Sequence, residues 1–115
     1  EQNFLKADLR GVDLSEADLR GAVFNSSQLQ EADLQGADLE NVVAFASRFD
    51  GADLRGANFT NAMLMQSQFK DALIEGADFS NAVLDRRQQN ELCSRANGTN
   101  AVSGSNTLDR LGCRS

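Results

Sequence analysis

The groups in this 115-residue chain most able to do chemistry are its carboxylates and one pair of cysteines. The aspartates recur at a fixed step. Asp13, Asp33 and Asp53 lie twenty residues apart; Asp18, Asp38 and Asp78 fall on a second series of the same step, with Asn58 in the open place. Such ladders could bind a cation, offer an acidic face to a partner, or accept hydrogen bonds from nearby turn backbone. The turn reading needs the least, because Asp and Asn side chains commonly bond backbone two residues on. Catalysis would need a nucleophile beside a base, or two carboxylates around a cleft. The chain has no histidine, so the usual acid–base group and metal ligand near neutral pH is missing. We expect no enzyme, no catalytic or cofactor-binding residue, no metal site and no small-molecule substrate.

Cys93 and Cys113 are the only cysteines. They are either two free thiols or a disulfide. We prefer the disulfide, which would staple short elements that lack a core of their own. A bond closing a loop of this size is worth roughly 3 kcal/mol and implies an oxidising compartment.

The elements that must carry these groups follow from one period. Positions 4, 9, 14 and onward to 84 hold Phe, Leu or Ile in every case but Ala44. Two places earlier in each unit the residue is small, usually alanine. A period of five suits neither a helix at 3.6 nor a strand at 2. It needs a chain that turns a corner in each unit and points the same two positions inward, stacking on itself at about 4.8 Å. At Ala44 either the alanine points inward and leaves a small void, or the neighbouring Phe45 takes its place. The unbroken register on both sides favours Ala44.

The units Ala7-Asp8-Leu9-Arg10-Gly11, Ala17-Asp18-Leu19-Arg20-Gly21, Ala37-Asp38-Leu39-Glu40-Asn41, Ala52-Asp53-Leu54-Arg55-Gly56 and Ala77-Asp78-Phe79-Ser80-Asn81 resemble the A-[D/N]-L-x-x signature of the pentapeptide-repeat family. The resemblance covers about three quarters of the chain. It implies an all-β solenoid, a right-handed quadrilateral β-helix with four units per coil and about four coils over residues 1–85. Residues 86–115 then form a separate cap. Arg86 to Ala96 reads as a short helix ended by Gly98, Thr99 to Ser105 as a loop, and Asn106 to Leu111 as a second helical turn. Leu92, Leu108 and Leu111 are its expected anchors over the apolar end of the solenoid. This tail resembles the cysteine-bearing helical cap of pentapeptide-repeat proteins of cyanobacterial and chloroplast compartments. The resemblance implies a thylakoid-lumen or periplasmic location; a cytoplasmic one is the alternative. The repeat is already under way at Glu1 and no signal peptide is visible, as in a mature or trimmed form.

Counting by twenties also picks out a surface. The outward positions on one side read Val23, Val43, Met63 and Val83, with Phe45 and Met65 beside them. Branched residues suit strand-like walls in any case. An unbroken apolar stripe is also what a protein partner or a second copy would bind. The net charge is −6, from a body of −9 over residues 1–85 and a tail of +3. Positive charge is too sparse to track a phosphate backbone, so ordinary nucleic-acid binding is not expected. No apolar run is long enough to span a membrane. We therefore expect a non-enzymatic interaction or scaffolding module. The alternative is an acidic rod that mimics DNA and binds gyrase, a type II topoisomerase, as the similar quinolone-resistance pentapeptide proteins do. Arg10, Arg20, Arg48 and Arg55 interrupt the acidic body and make it a poor mimic. Three Asn-x-Ser/Thr triplets, at Asn25, Asn58 and Asn97, are read as chance in a repeat rich in Asn, Ser and Thr.

Overall fold

The computed structural model describes residues 3–113. One unit, Ala32-Asp33-Leu34-Gln35-Gly36, explains the body. A buried backbone donor must find an acceptor, and this unit places all five. Ala32 N–H closes a turn onto Leu29 O at 3.1 Å, and Asp33 N–H reaches back one circuit to Val12 O at 3.0 Å. Leu34 and Gly36 N–H reach forward to Asp53 O and Arg55 O at 2.8 and 3.0 Å. Gln35 N–H, which has no main-chain acceptor, goes to Asp33 Oδ1 at 3.1 Å. The Ala-Asp-Leu-x-Gly pattern thus encodes a hydrogen-bonding scheme. The aspartate sits where a backbone amide would otherwise be orphaned.

Repetition of this scheme makes the chain lie beside itself every twenty residues. Parallel bridges run in four files, such as Val23 to Val43 to Met63 to Val83 and Asp13 to Asp33 to Asp53 to Leu73. Among the described residues these bridges stay single, without a longer strand, because a corner follows each one. At every corner from Lys6 to Asn81 the last turn residue has positive φ. Six of these sixteen places hold glycine and ten hold side-chain residues, including Ala46 at 57°. Positive φ at that position is what a type II turn needs. An L-residue there costs about 1–2 kcal/mol, part of which glycine's greater unfolded-state entropy cancels. The exposed Ala46→Gly variant should therefore be about 0.5–1 kcal/mol more stable, read as a higher urea midpoint at unchanged slope.

The large apolar residues fill the axis in four columns. Leu29, Leu34, Leu39, Phe49, Leu54, Phe59, Leu64 and Phe69 are fully buried. Phenyl rings stack at one-circuit steps: Phe4 on Phe24 at 4.8 Å, Phe49 on Phe69 at 5.0 Å and Phe59 on Phe79 at 5.2 Å. Ala44 points inward and is fully buried. Phe45 stays on the outside, half-buried, with its N–H on Asn25 Oδ1 at 3.0 Å. Under one column runs an inner serine ladder: Ser47 N–H meets Ser67 Oγ at 2.9 Å, and the Ser27, Ser47 and Ser67 hydroxyls donate to Phe4 O, Phe24 O and Ala44 O.

The tail covers the last circuit. Helix α1 spans Arg86–Cys93 and α2 spans Thr107–Arg110, so the first helix is shorter than the expected Arg86 to Ala96. It starts with a reciprocal cap. Gln88 N–H meets Asp85 Oδ1, and Asp85 N–H meets Gln88 Oε1, both at 2.9 Å. After α1 the chain is committed elsewhere: Arg95 bonds the last circuit, donating from Nε to Ala72 O at 2.9 Å and from its terminal nitrogen to Phe69 O. Leu92 and Leu111 are buried against the core, while Leu108 packs there only partly.

Three cap side chains replace the amides of a circuit that never comes. In the body, Ser47 O, Ala52 O and Ala57 O accept from Gln68, Leu73 and Asp78 N–H, at 2.9, 3.0 and 2.8 Å. One circuit later Ser67 O, Ala72 O and Ala77 O accept instead from Gln88 Nε2, Arg95 Nε and Thr107 Oγ1, at 2.7, 2.9 and 2.6 Å. Gln88 Nε2 also reaches Leu64 O at 2.5 Å, the place a further rung of the serine ladder would take.

Candidate functional site

The outer wall forms because bridge positions put alternate side chains outside. Val23, Val43, Met63 and Val83 bridge in one file. Met63, Met65 and Val83 are exposed, at 39%, 38% and 40%, while Val23, Val43 and Phe45 are half-buried. The wall extends one residue further than the sequence reading placed it. Leu5, 58% exposed, lies two circuits before Phe45 in the same file. Counting back from Phe45 by twenties would have found it. Among the described residues, counting by twenties puts ionic side chains on this wall at its ends alone, Lys6 at one and Asp85 and Arg86 at the other.

The acidic ladders are built differently. Asp13, Asp33 and Asp53 stack in one file, and Asp18, Asp38 and Asp78 in another with Asn58 between. Each of these aspartates except Asp78 faces outward at least in part, and each binds a turn: Ser15 N–H on Asp13 at 3.0 Å, Arg20 on Asp18 at 3.3 Å, Glu40 on Asp38 at 3.2 Å and Arg55 on Asp53 at 3.2 Å. Arginines neutralise much of the remaining charge. Arg10–Asp8, Arg20–Asp18, Arg48–Asp50 and Arg55–Asp53 pair at 2.8, 2.8, 2.9 and 2.6 Å. Asp78 differs from the exposed group expected. It is buried, because Ser103 from the cap loop donates to its Oδ2 at 2.6 Å while Ser80 holds Oδ1.

These contacts hold carboxyl groups below their ordinary range. The bonds from the Arg10 and Arg20 side chains bring Asp8 and Asp18 to about 2. The Ser15 hydroxyl lowers Asp13, and the Arg55 and Arg48 guanidinium groups lower Asp53 and Asp50. At Asp78 burial pushes upward, but hydrogen bonds from Ser103 and Ser80 outweigh it. A carboxyl with a depressed folded pKa binds protons more weakly in the fold than in the unfolded chain. Its stabilisation is present above the ordinary carboxylate value and is lost as pH falls through the folded one. With no histidine to change charge between pH 5 and 8, the urea midpoint should be flat there and fall between about pH 4 and pH 2. A comparable fall between pH 7 and 5 would contradict this assignment.

Cys93 and Cys113 are joined by a disulfide, with Cα atoms 5.5 Å apart. It ties the end of α1 to the chain after α2. Beside it opens a hollow of about 450 Å³ bordered by Arg86, Gln89, Asn90 and Gly112. A second hollow, about 320 Å³, lies between α1 and the last circuit, lined by polar and charged side chains including Lys70, Arg87 and Glu91. Among the described residues no group of three or more His, Cys, Asp or Glu side chains could hold a metal ion, and no helix is long and apolar enough to cross a membrane.

A body of five-residue units stacked at a step of twenty, filled along its axis and presenting flat files of side chains, is a repeat solenoid. The family described as Pentapeptide repeats matches residues 3–43 and 46–81 in 8 copies, and the chain belongs to it. The break between the two matched stretches falls on Ala44 and Phe45. Among solved structures, a pentapeptide repeat protein from the Arabidopsis thaliana thylakoid lumen is 33% identical with a TM-score of 0.56, over 94% of this chain and 89% of that one. HetL, from the cyanobacterium Nostoc sp. strain PCC 7120 and involved in heterocyst differentiation regulation, is 25% identical with a TM-score of 0.49, over 71% of this chain and 40% of that one. QnrB1, a plasmid-mediated fluoroquinolone resistance protein, is 22% identical with a TM-score of 0.37, over 70% of this chain and 61% of that one. No curated protein sequence matches.

Proposed function

We propose that the chain is a non-enzymatic interaction module of an oxidising compartment, the thylakoid lumen or the periplasm, and that its apolar wall is the contact surface. In this reading residues 1–85 form a right-handed quadrilateral β-helix and residues 86–115 its cap. The observation that carries the reading is the wall itself: exposed Leu5, Met63, Met65 and Val83 on a backbone lattice in which every unit is hydrogen-bonded to its neighbours. A surface pre-ordered in this way binds with little loss of conformational freedom. The compartment is supported by the Cys93–Cys113 bond and by the lumenal origin of the Arabidopsis protein. The acidic ladders speak for structure, since their oxygens are used by turn amides and arginines. The body keeps a net charge of −9, but Arg10, Arg20, Arg48 and Arg55 interrupt it on their faces, which speaks against an unbroken acidic rod imitating DNA for a topoisomerase.

The test is affinity purification from a thylakoid-lumen extract with the chain and with a Val43→Asp/Met63→Asp variant. The unaltered chain should retain a protein that the variant loses by tenfold or more, with far-UV circular dichroism unchanged. Equal recovery by both would remove the wall from consideration.

A further inference from the structure

The cap crosses from α1 to α2 through a bend at Asn97 and Gly98, and the bend leaves no choice of residue at its second place. Gly98 has a φ of 85°. A β-carbon there would lie 2.9 Å from Gly76 N and from Glu75 Cγ, so only glycine fits. Asn97, in front of it, is exposed. The chain thereby carries a single Asn-Gly step. In such a pair the side-chain amide meets the following nitrogen with no β-carbon in the way.

Asparagines elsewhere are held. Asn100, in the same loop, is buried; its Nδ2 donates to Gly56 O and Gly76 O at 3.2 and 3.0 Å, and its Oδ1 accepts from Val102 and Ser103 N–H, both at 3.0 Å. The side-chain oxygens of Asn3, Asn25, Asn58 and Asn106 accept from Leu5, Phe45, Thr60 and Asp109 N–H. Asn90 lies within α1. After the corner residues Asn41, Asn61 and Asn81 the next amide is fixed: Val42, Ala62 and Ala82 N–H each meet a carbonyl of their own turn at 3.0 Å. Gly98 N–H has no acceptor among the described residues. From this contrast we infer that Asn97 is a self-modifying site, where the Gly98 nitrogen closes on the Asn97 side chain and the amide is exchanged for an acid. The site is separate from the outer wall and does not depend on it.

The step needs water and nothing else. The Gly98 nitrogen gives up its proton and attacks Asn97 Cγ. A C–N bond forms, the bond to the side-chain nitrogen breaks, and ammonia leaves carrying that proton. Water then opens the cyclic imide at either carbonyl. One opening gives aspartate; the other gives isoaspartate, whose main chain runs through the β-carbon and is longer by a methylene. Either product adds a negative charge near Glu75, whose side chain lies against Gly98. The longer product also moves a carbonyl that the fold uses. In the body Gly56 N–H meets Glu75 O of the next circuit at 3.0 Å; under the cap Gly76 N–H meets Asn97 O instead, at 2.9 Å. Gly98 O in turn accepts from Thr107 N–H at 3.0 Å, and Thr107 Oγ1 donates to Ala77 O at 2.6 Å. Isoaspartate at position 97 therefore loosens the cap where it joins the last circuit.

The experiment is ageing of the full chain in mildly alkaline buffer, with a free peptide of residues 95–100 aged beside it. Tryptic fragments are read by mass spectrometry, and isoaspartate is counted by labelling with an isoaspartyl methyltransferase. The fragment from Ala96 to Arg110 should gain the mass of an amide exchanged for an acid, at Asn97 and at neither Asn100 nor Asn106. The folded chain should convert within about tenfold of the peptide's rate, because the bend already leaves the Gly98 nitrogen free. Asn97→Ser should abolish the label. The isoaspartyl fraction, separated by its charge, should keep its far-UV circular dichroism and show a lower urea midpoint than fresh protein. Its midpoint should also lie below that of Asn97→Asp, which has the charge without the added methylene. Conversion slower than that range overturns the inference, as do equal conversion at another asparagine and a label that survives Asn97→Ser. An isoaspartyl fraction as stable as Asn97→Asp overturns the loosening of the cap.

Discussion

Phe59→Ala should lower the unfolding free energy by about 3–5 kcal/mol, the cost of removing a buried phenyl ring from a site that collapses poorly. Phe59 is fully buried and mid-column. Its ring stacks on Phe79 at 5.2 Å and meets Phe49 edge-on at 6.3 Å. The backbone around it cannot close in, because circuit spacing is fixed by bonds such as Phe59 N–H to Asp78 O at 2.7 Å and Leu39 N–H to Asn58 O at 2.7 Å. The void therefore persists. Phe59→Leu should cost less, since Leu39 already occupies the neighbouring rung of that column. Urea titrations followed by far-UV circular dichroism measure both. A loss below about 1 kcal/mol for the alanine variant would mean that the lattice relaxes across circuits, against the rigidity argued for the wall.

Gln88→Ala should cost about 2–4 kcal/mol although it removes no apolar ring: the buried Ser67 carbonyl would lose its only donor among the described residues at about 1–3 kcal/mol, the Leu64 carbonyl would keep only the turn bond from Ser67 N–H, and α1 would lose half of its reciprocal cap, worth about 1 kcal/mol. Gln88→Glu separates these contributions. Glutamate keeps the acceptor for Asp85 N–H but faces both carbonyls with a carboxylate instead of an amide donor. That carboxylate binds a proton more tightly folded than unfolded, so the variant should regain stability as pH falls from 7 towards 5, where the unaltered chain is flat. Urea midpoints at the two pH values decide it. A Glu variant as stable as the Gln chain at pH 7 would show that the Nε2 bonds contribute nothing.

The body was legible because its rule is local and repeated. Alanine, aspartate and leucine at fixed places in five residues specify the turn, the amide acceptor and the core, so the columns, the inward Ala44 and the wall could all be read by counting. Leu5 obeyed the same count and was missed only because the count was begun at Val23. The cap was legible only in its apolar anchors. Gln88, Arg95 and Thr107 look like ordinary surface residues in a polar tail, and no spacing links them to Ser67, Ala72 and Ala77. Their role appears only when the last circuit's carbonyls are traced to their donors. The burial of Asp78 has the same origin, since it depends on Ser103 arriving from a loop twenty-five residues away.

The step of twenty also limits how such a chain can change length. A duplicated stretch of twenty residues would add one full storey, and the same face of the cap would meet the same face of the body. A duplicated stretch of five would turn everything beyond it by one side. Placed in the last circuit it would bring Gln88 to the side built for Arg95; placed between Ser47 and Asn58 it would run the valine and methionine file on into the Asn58 and Asp78 file and set the serine rungs facing alanine. Growth by whole storeys is nearly silent, whereas growth by a single unit breaks every vertical relation that spans it, although the repeat itself is only five residues long.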